Sequence, residues 1–239
     1  MQYIAYELVL DVIRNIIFVC DVFHFIWTVI SYKLKILFNN DYRILQRENK
    51  HIDKLPNSVA ILLNELERDD DYVISSAINV FSILSKYNIP NLIFYDLRGI
   101  CMNNQDKLLH EFNKIEKSNN TIVSAERKIE FIDFNESYST LPTVAKSICQ
   151  EHNDAQGVDS DTTVANDSLV VKHYKKLYSK RNSPELAIVV GGTMSPFGFD
   201  PFLLSFTEFS MIRSSWFIHE AVIADIIDKI TRTTQNYGK

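Results

Sequence analysis

The side chains able to do chemistry in this 239-residue chain gather just behind its short apolar runs. Asn64, Glu65, Leu66, Glu67 and Arg68 follow Ser58–Leu63 (SVAILL). Arg98 and Gly99 follow Asn91–Asp96 (NLIFYD). Gly191 and Gly192 follow Leu186–Val190 (LAIVV). Glu65, Glu67 and Asp96 are of the type that holds a hard divalent cation, although acids at strand ends more often cap helices or face water. Two adjacent glycines permit a tight turn or a close backbone approach. There is no glycine-rich phosphate loop, and acids stand where an anion would need backbone amides. Ser195–Phe199 (SPFGF) brings no Arg, Lys or His. The six histidines are scattered without a triad-like local motif. Cys20, Cys101 and Cys149 are far apart, with no zinc spacing and an odd count for a disulfide framework. Residue types and spacing assemble no active site.

The elements that must carry these residues alternate. Ser58–Leu63, Asn91–Asp96, Lys128–Phe134, Leu186–Val190 and Phe202–Phe206 read as strands. Between them, helical spacing links Val73, Ile74, Ala77, Val80, Phe81 and Leu84, then Leu108, Leu109, Phe112 and Ile115. A further helix is expected from Ser139–Pro142 to Cys149, another around Leu169–Leu177, and a last one along Ile218–Ile230. Strands alternating with helices predict an α/β fold with a mainly parallel sheet flanked by helices on both faces. Glu151–Ser168 has five acidic residues and no Lys or Arg, and reads as a solvated loop inside a domain spanning 58–239. The composition, 46% hydrophobic and 23% charged with net charge −5, fits a globular chain and gives no general reason for nucleic-acid binding.

Residues 1–38 depart from this average and form a hydrophobic segment, joined to the domain by a polar linker over 39–57. Asn15–Tyr32 contains 18 residues and one formal charge, Asp21. That is the lower edge of spanning length. About ten apolar residues at roughly −0.3 to −0.6 kcal/mol each favour insertion, and a central Asp opposes it by about 2.5–3.5 kcal/mol. Two readings stand, a membrane helix and a buried or interfacial amphipathic one. For a span, the later Lys33, Lys35, Arg43 and Arg47 would keep the domain in the cytosol.

Two segments resemble the Nogo-B receptor family, a non-catalytic branch of the cis-prenyltransferases. Tyr95–Lys114 (YDLRGICMNNQDKLLHEFNK) is similar to the family's Tyr-Asp-x-x-Gly-Ile, Asn-Asn and amphipathic-helix stretch. Pro184–Phe209 (PELAIVVGGTMSPFGFDPFLLSFTEF) resembles its strand, glycine turn, Gly-Phe-x-Pro and Thr-Glu segment. The ending Tyr237-Gly238-Lys239 is similar to the family's Arg-x-Gly-Lys tail, with Asn236 in the place of its Arg. The resemblance covers nearly the whole chain.

The resemblance implies an undecaprenyl diphosphate synthase-like parallel sheet and an accessory subunit of dehydrodolichyl diphosphate synthase. That enzyme condenses isopentenyl diphosphate onto an allylic diphosphate for dolichol synthesis and protein glycosylation. Catalytic members carry Asp-Gly-Asn-x-Arg after the first strand, where this chain reads Asn64-Glu65-Leu66-Glu67-Arg68. They also carry arginines after the fourth strand, and Gly191–Asp200 has none. The implied partner is therefore a catalytic cis-prenyltransferase subunit, which would bind Mg2+ and both diphosphates. This chain would supply no metal ligand, with Asn64 replacing the family Asp. It would supply a contact surface, and Tyr237, Gly238 and Lys239 to the partner's site. The implied location is the endoplasmic reticulum membrane with a cytosolic domain. Aromatic density nominates Phe199, Phe202, Phe206, Phe209, Trp216 and Phe217 for the heterodimer interface. The competing expectation is a membrane-anchored receptor or scaffold with no part in prenyl transfer.

Overall fold

The computed structural model describes residues 2–38, 55–118, 127–154, 167–179, 181–204 and 207–232. Five strands, β1 (Ser58–Leu63), β2 (Asn91–Asp96), β3 (Lys128–Asp133), β4 (Leu186–Val190) and β5 (Glu208–Ile212), form one sheet in the order β3-β2-β1-β4-β5. All four pairings are parallel. The helices are α1 (Gln2–Phe38), α2 (Asp70–Leu84), α3 (Ile100–Asn103), α4 (Gln105–Ser118), α5 (Phe134–Asp154), α6 (Asp167–Leu177) and α7 (Glu220–Arg232).

The central strands are apolar on both faces because helices cover both. Val59, Ile61 and Leu63 point into one core with α2, α4 and α7. Ala60 and Leu62 point into the other, with Val144 of α5 and Tyr174 of α6. Alternate residues face opposite sides of a strand, so one six-residue run serves two cores. In the first core Phe81 and Phe112 stack with centroids 3.9 Å apart. Asp69 starts α2 by accepting from the Tyr72 amide, and buried Arg127 holds the Ile89 and Tyr87 carbonyls and pairs with Glu116.

Three expectations need correction. The expected strand at Phe202–Phe206 is not one: Asp200 accepts from the Phe202 amide and Pro201 begins a 3-10 turn over Pro201–Leu203. The edge strand starts later, at Glu208. Helix α5 begins at Phe134, ahead of the expected start at Ser139–Pro142, because Asp133 accepts from the Glu136 amide and caps it. It also runs on to Asp154, so the expected loop at 151–168 begins as helix and ends as α6, with 155–166 outside the described residues.

The third concerns the N-terminus. Among the described residues no helix is long and apolar enough to cross a membrane. Instead α1 docks along the edge formed by β5 and α7. Asp21, the charge that disfavours insertion, pairs with Arg213 at 3.0 Å. The Phe217 ring lies 5.3 Å from Phe25 and 6.3 Å from Phe18. Tyr32 is buried against Ala221 and Ala224 of α7. Of the linker expected at 39–57, only 55–57 are described.

Candidate functional site

The strand order reverses between β1 and β4, and ligands of open parallel sheets sit beyond the carboxyl ends of strands at such a switch point. Asn64 and Gly191 flank this point. The Asn64 amide donates to the Val190 carbonyl at 2.8 Å, and the Gly191 amide to the Ile212 carbonyl at 2.9 Å. Gly191 has φ +153°, and a Cβ there would lie 3.0 Å from the Asn64 carbonyl oxygen. Glycine lets the two chain turns touch, and the crevice closes where they do.

The residues beyond the strands are committed to one another. Asn64 is buried, and its Nδ2 donates to the Ser195 carbonyl at 2.9 Å; its Oδ1 has no partner. Tyr95 donates to the Phe197 carbonyl at 2.5 Å. Its phenol is pushed up to about 12 by burial and then by Asp96 and Asp133, so it stays a donor at any working pH. These two bonds hold Ser195–Phe199 down over β1 and β2. Gly198, at φ +81°, would set a Cβ 2.8 Å from the Phe134 ring.

Of the carboxylates named in the sequence, Glu65 and Asp96 are also engaged, while Glu67 is exposed. Glu65 accepts from the Ser214 hydroxyl at 2.8 Å, the Ser215 amide at 3.2 Å and the Ser215 hydroxyl, while the Ser215 hydroxyl also meets the Tyr72 phenol. Asp96 is buried and accepts from the Ile100 and Cys101 amides, both at 2.8 Å, after the left-handed turn at Gly99. Arg98 reaches back to the Arg68 carbonyl and to Asp70. Arg68 lies over the Tyr72 ring. A divalent cation needs several free oxygens on one centre. Asn64 offers a single amide oxygen, and Glu65 and Asp96 are spent on hydroxyls and amides. Among the described residues no group of three His, Cys, Asp or Glu could hold a metal ion, and the site does not fit magnesium.

Two polar clusters escaped sequence reading. Arg181 joins Glu130 at 3.2 Å, Glu136, and fully buried Asp200 at 3.6 Å. Its four groups come from β3, α5, the segment before β4 and the segment after it, so no local pattern announces it. Burial pushes the Asp200 and Glu136 carboxyls up, against the pull of Arg181. A carboxyl raised in the fold binds its proton more tightly there than in the unfolded chain. Its contribution is therefore complete below the unfolded pKa and lost as pH rises through the folded one. The melting temperature should fall as pH rises above the ordinary carboxylate range, and Asp200→Asn should flatten that fall. The second cluster lies between α5 and α6. His173 is buried, with Nδ1 3.1 Å from the Ser147 hydroxyl and Nε2 3.2 Å from Glu151. Lys176 also binds Glu151, and the set fastens two helices.

The aromatic residues nominated for an interface are placed differently from one another. Phe199 is in the core, edge-on to Tyr95. Phe202 stacks on Tyr174 at 4.5 Å. Phe209 is half-buried on edge strand β5, and Phe217 packs on α1. Trp216 is 69% exposed. Phe206, Tyr237, Gly238 and Lys239 lie outside the described residues.

The chain matches no family model and no curated protein. Among solved structures it is similar to diphosphate synthases. One is lavandulyl diphosphate synthase from Lavandula x intermedia in complex with dimethylallyl diphosphate, at 15% identity and TM-score 0.48, covering 77% of this chain and 99% of that one. Another is a probable undecaprenyl diphosphate synthase from Campylobacter jejuni, at 9% identity and TM-score 0.47, covering 76% and 98%.

Proposed function

We propose that this chain is the non-catalytic subunit of a cis-prenyltransferase of the dehydrodolichyl diphosphate synthase type. Its partner would be the catalytic subunit, which binds Mg2+ and the isopentenyl and allylic diphosphates. The observation that carries this reading is the switch point. In the catalytic chains that the sequence resembles, an Asp follows the first strand; here Asn64 stands there, tied to Ser195, with Glu65 locked on Ser214 and Ser215. A diphosphate needs cations or several free amides. Gly191–Asp200, after β4, brings no cation, and Arg68, after β1, lies over the Tyr72 ring. The parallel sheet, with its two segments of family-like sequence, would then serve as a platform for the partner, with Tyr237–Lys239 reaching the partner's site.

The test is co-expression with a catalytic cis-prenyltransferase subunit, followed by an assay with radiolabelled isopentenyl diphosphate and magnesium. The chain alone should give no polyprenyl product, and the co-purified pair should turn over well above the catalytic subunit alone. Removal of Tyr237–Lys239 should lower turnover without dissociating the pair, since losing a positioned donor costs roughly 10²–10³ in rate. Robust turnover by this chain alone would refute the reading. Co-purification without any gain in turnover would favour the scaffold alternative, which the uncovered apolar surface of α1 also suits.

A further inference from the structure

We propose that α1 lies flat in the surface of a lipid bilayer while it remains docked on the domain, rather than crossing the bilayer. The inference rests on how the helix divides its residues. At about 100° per residue, Asp11, Arg14, Asp21 and Lys33 fall on the half that includes Phe25, Val29 and Tyr32, the residues turned to α7 and Phe217. The other half, from Val9 to Leu34, carries no formal charge. Val12, Ile16, Val19, Phe23, Trp27, Ile30 and Leu34 run along it at helical spacing, and all seven are exposed, Phe23 and Trp27 by 68% and 70%. Aromatic side chains such as Phe23 and Trp27 carry roughly 150–250 Å² each, and with the five aliphatic side chains beside them the uncovered stripe exceeds the few hundred Å² that a soluble surface usually shows.

The width of the surface selects the occupant. A partner helix, including a second copy of α1, covers a narrow seam. Here Val9, Ile13 and Ile26 widen the apolar surface on both sides of the stripe. A lipid surface covers such a half-cylinder along its full length, which is the geometry of helices that lie in the interfacial plane. The paired Asp21 and Arg213 explain why the helix does not turn to cross: insertion would break that pair and bury Asp21. The formal charges of α1 cancel, Glu7, Asp11 and Asp21 against Arg14, Lys33 and Lys35, so binding is driven by apolar contact and not by anionic headgroups. The proposal holds whether or not the chain partners a prenyltransferase.

The experiment uses the full chain and phosphatidylcholine vesicles. The protein contains two tryptophans, Trp27 and Trp216, so Trp216→Phe leaves one reporter inside the stripe. Adding Trp27→Phe with either Ile16→Trp or Leu34→Trp moves that reporter along the helix. Those two positions are separated by about 27 Å of helix axis at 1.5 Å per residue. Lipids brominated at different depths should quench all three reporters at one shallow depth, and the vesicle affinity should change little with salt. Phe23→Ser with Trp27→Ser should weaken vesicle binding at least tenfold with an unchanged melting temperature, because neither residue faces the domain. Reporter depths that step across the bilayer would overturn the proposal in favour of a span. Failure to bind vesicles, with or without self-association in sedimentation, would overturn it in favour of a protein occupant or none.

Discussion

Arg181→Ala is expected to destabilise the domain by about 3 kcal/mol at pH 7, the low end of the roughly 3–5 kcal/mol lost when one partner of a buried ion pair is removed. The low end applies because Glu130 and Glu136 keep 22% and 37% of their side-chain surface in water and can rehydrate. Asp200 cannot, being fully buried with the Phe202 amide, the Tyr174 phenol and the Thr140 hydroxyl left to it. The loss should shrink at lower pH, where Asp200 and Glu136, already pushed up by burial, take up protons and no longer need a counter-charge. Urea unfolding of both proteins at two pH values measures this. A loss under 1 kcal/mol, or one that does not change with pH, would mean that the cluster is a solvated ion pair and not a buried one.

Asn64→Asp, which puts after β1 the residue type of the catalytic cis-prenyltransferases that the sequence resembles, should create no prenyl transfer and should destabilise the fold by about 3 kcal/mol at neutral pH. The amide now donates to the Ser195 carbonyl. A carboxylate would set an oxygen against that carbonyl inside a buried site, and a buried acceptor without a donor costs about 1–3 kcal/mol, more when charged. The orphaned Oδ1 shows that no other donor is at hand. Protonating the new carboxyl would let it donate to Ser195, so stability should recover as pH falls. A variant as stable as the original at pH 7, or one that gains turnover, would show that Glu65 and Ser195 leave the switch point open.

The core was legible in the sequence because buried parallel strands are written as continuous apolar runs. Ser58–Leu63, Asn91–Asp96 and Leu186–Val190 fall on β1, β2 and β4 with the expected bounds. The edge strand was not, since β5 is only half-covered and mixes Glu208 and Ser210 with Phe209 and Met211, while the more apolar Phe202–Leu204 stretch is turned by Asp200 and Pro201. Strand order was hidden because a run of Val and Ile does not name its neighbour, and with it went the switch point between β1 and β4. Asn64, Glu65 and Gly191 were recognisable as residues beyond strands, yet their mutual closure depends on Ser195, Ser214 and Ser215, which carry no signal of their own. The partner of Asp21 was hidden for a related reason: Arg213 is remote in sequence.

That remoteness has a consequence for how the protein is made. The helix α1 leaves the ribosome well before Arg213, Phe217, Ala221 and Ala224, against which it docks. At about 5–20 residues per second, the roughly 190 intervening residues keep the nascent helix without its landing place for about 10–40 s. Its apolar side meets the cell long before that landing place exists. Whatever shelters it in that interval, chaperone or lipid, acts on the chain before the domain has folded.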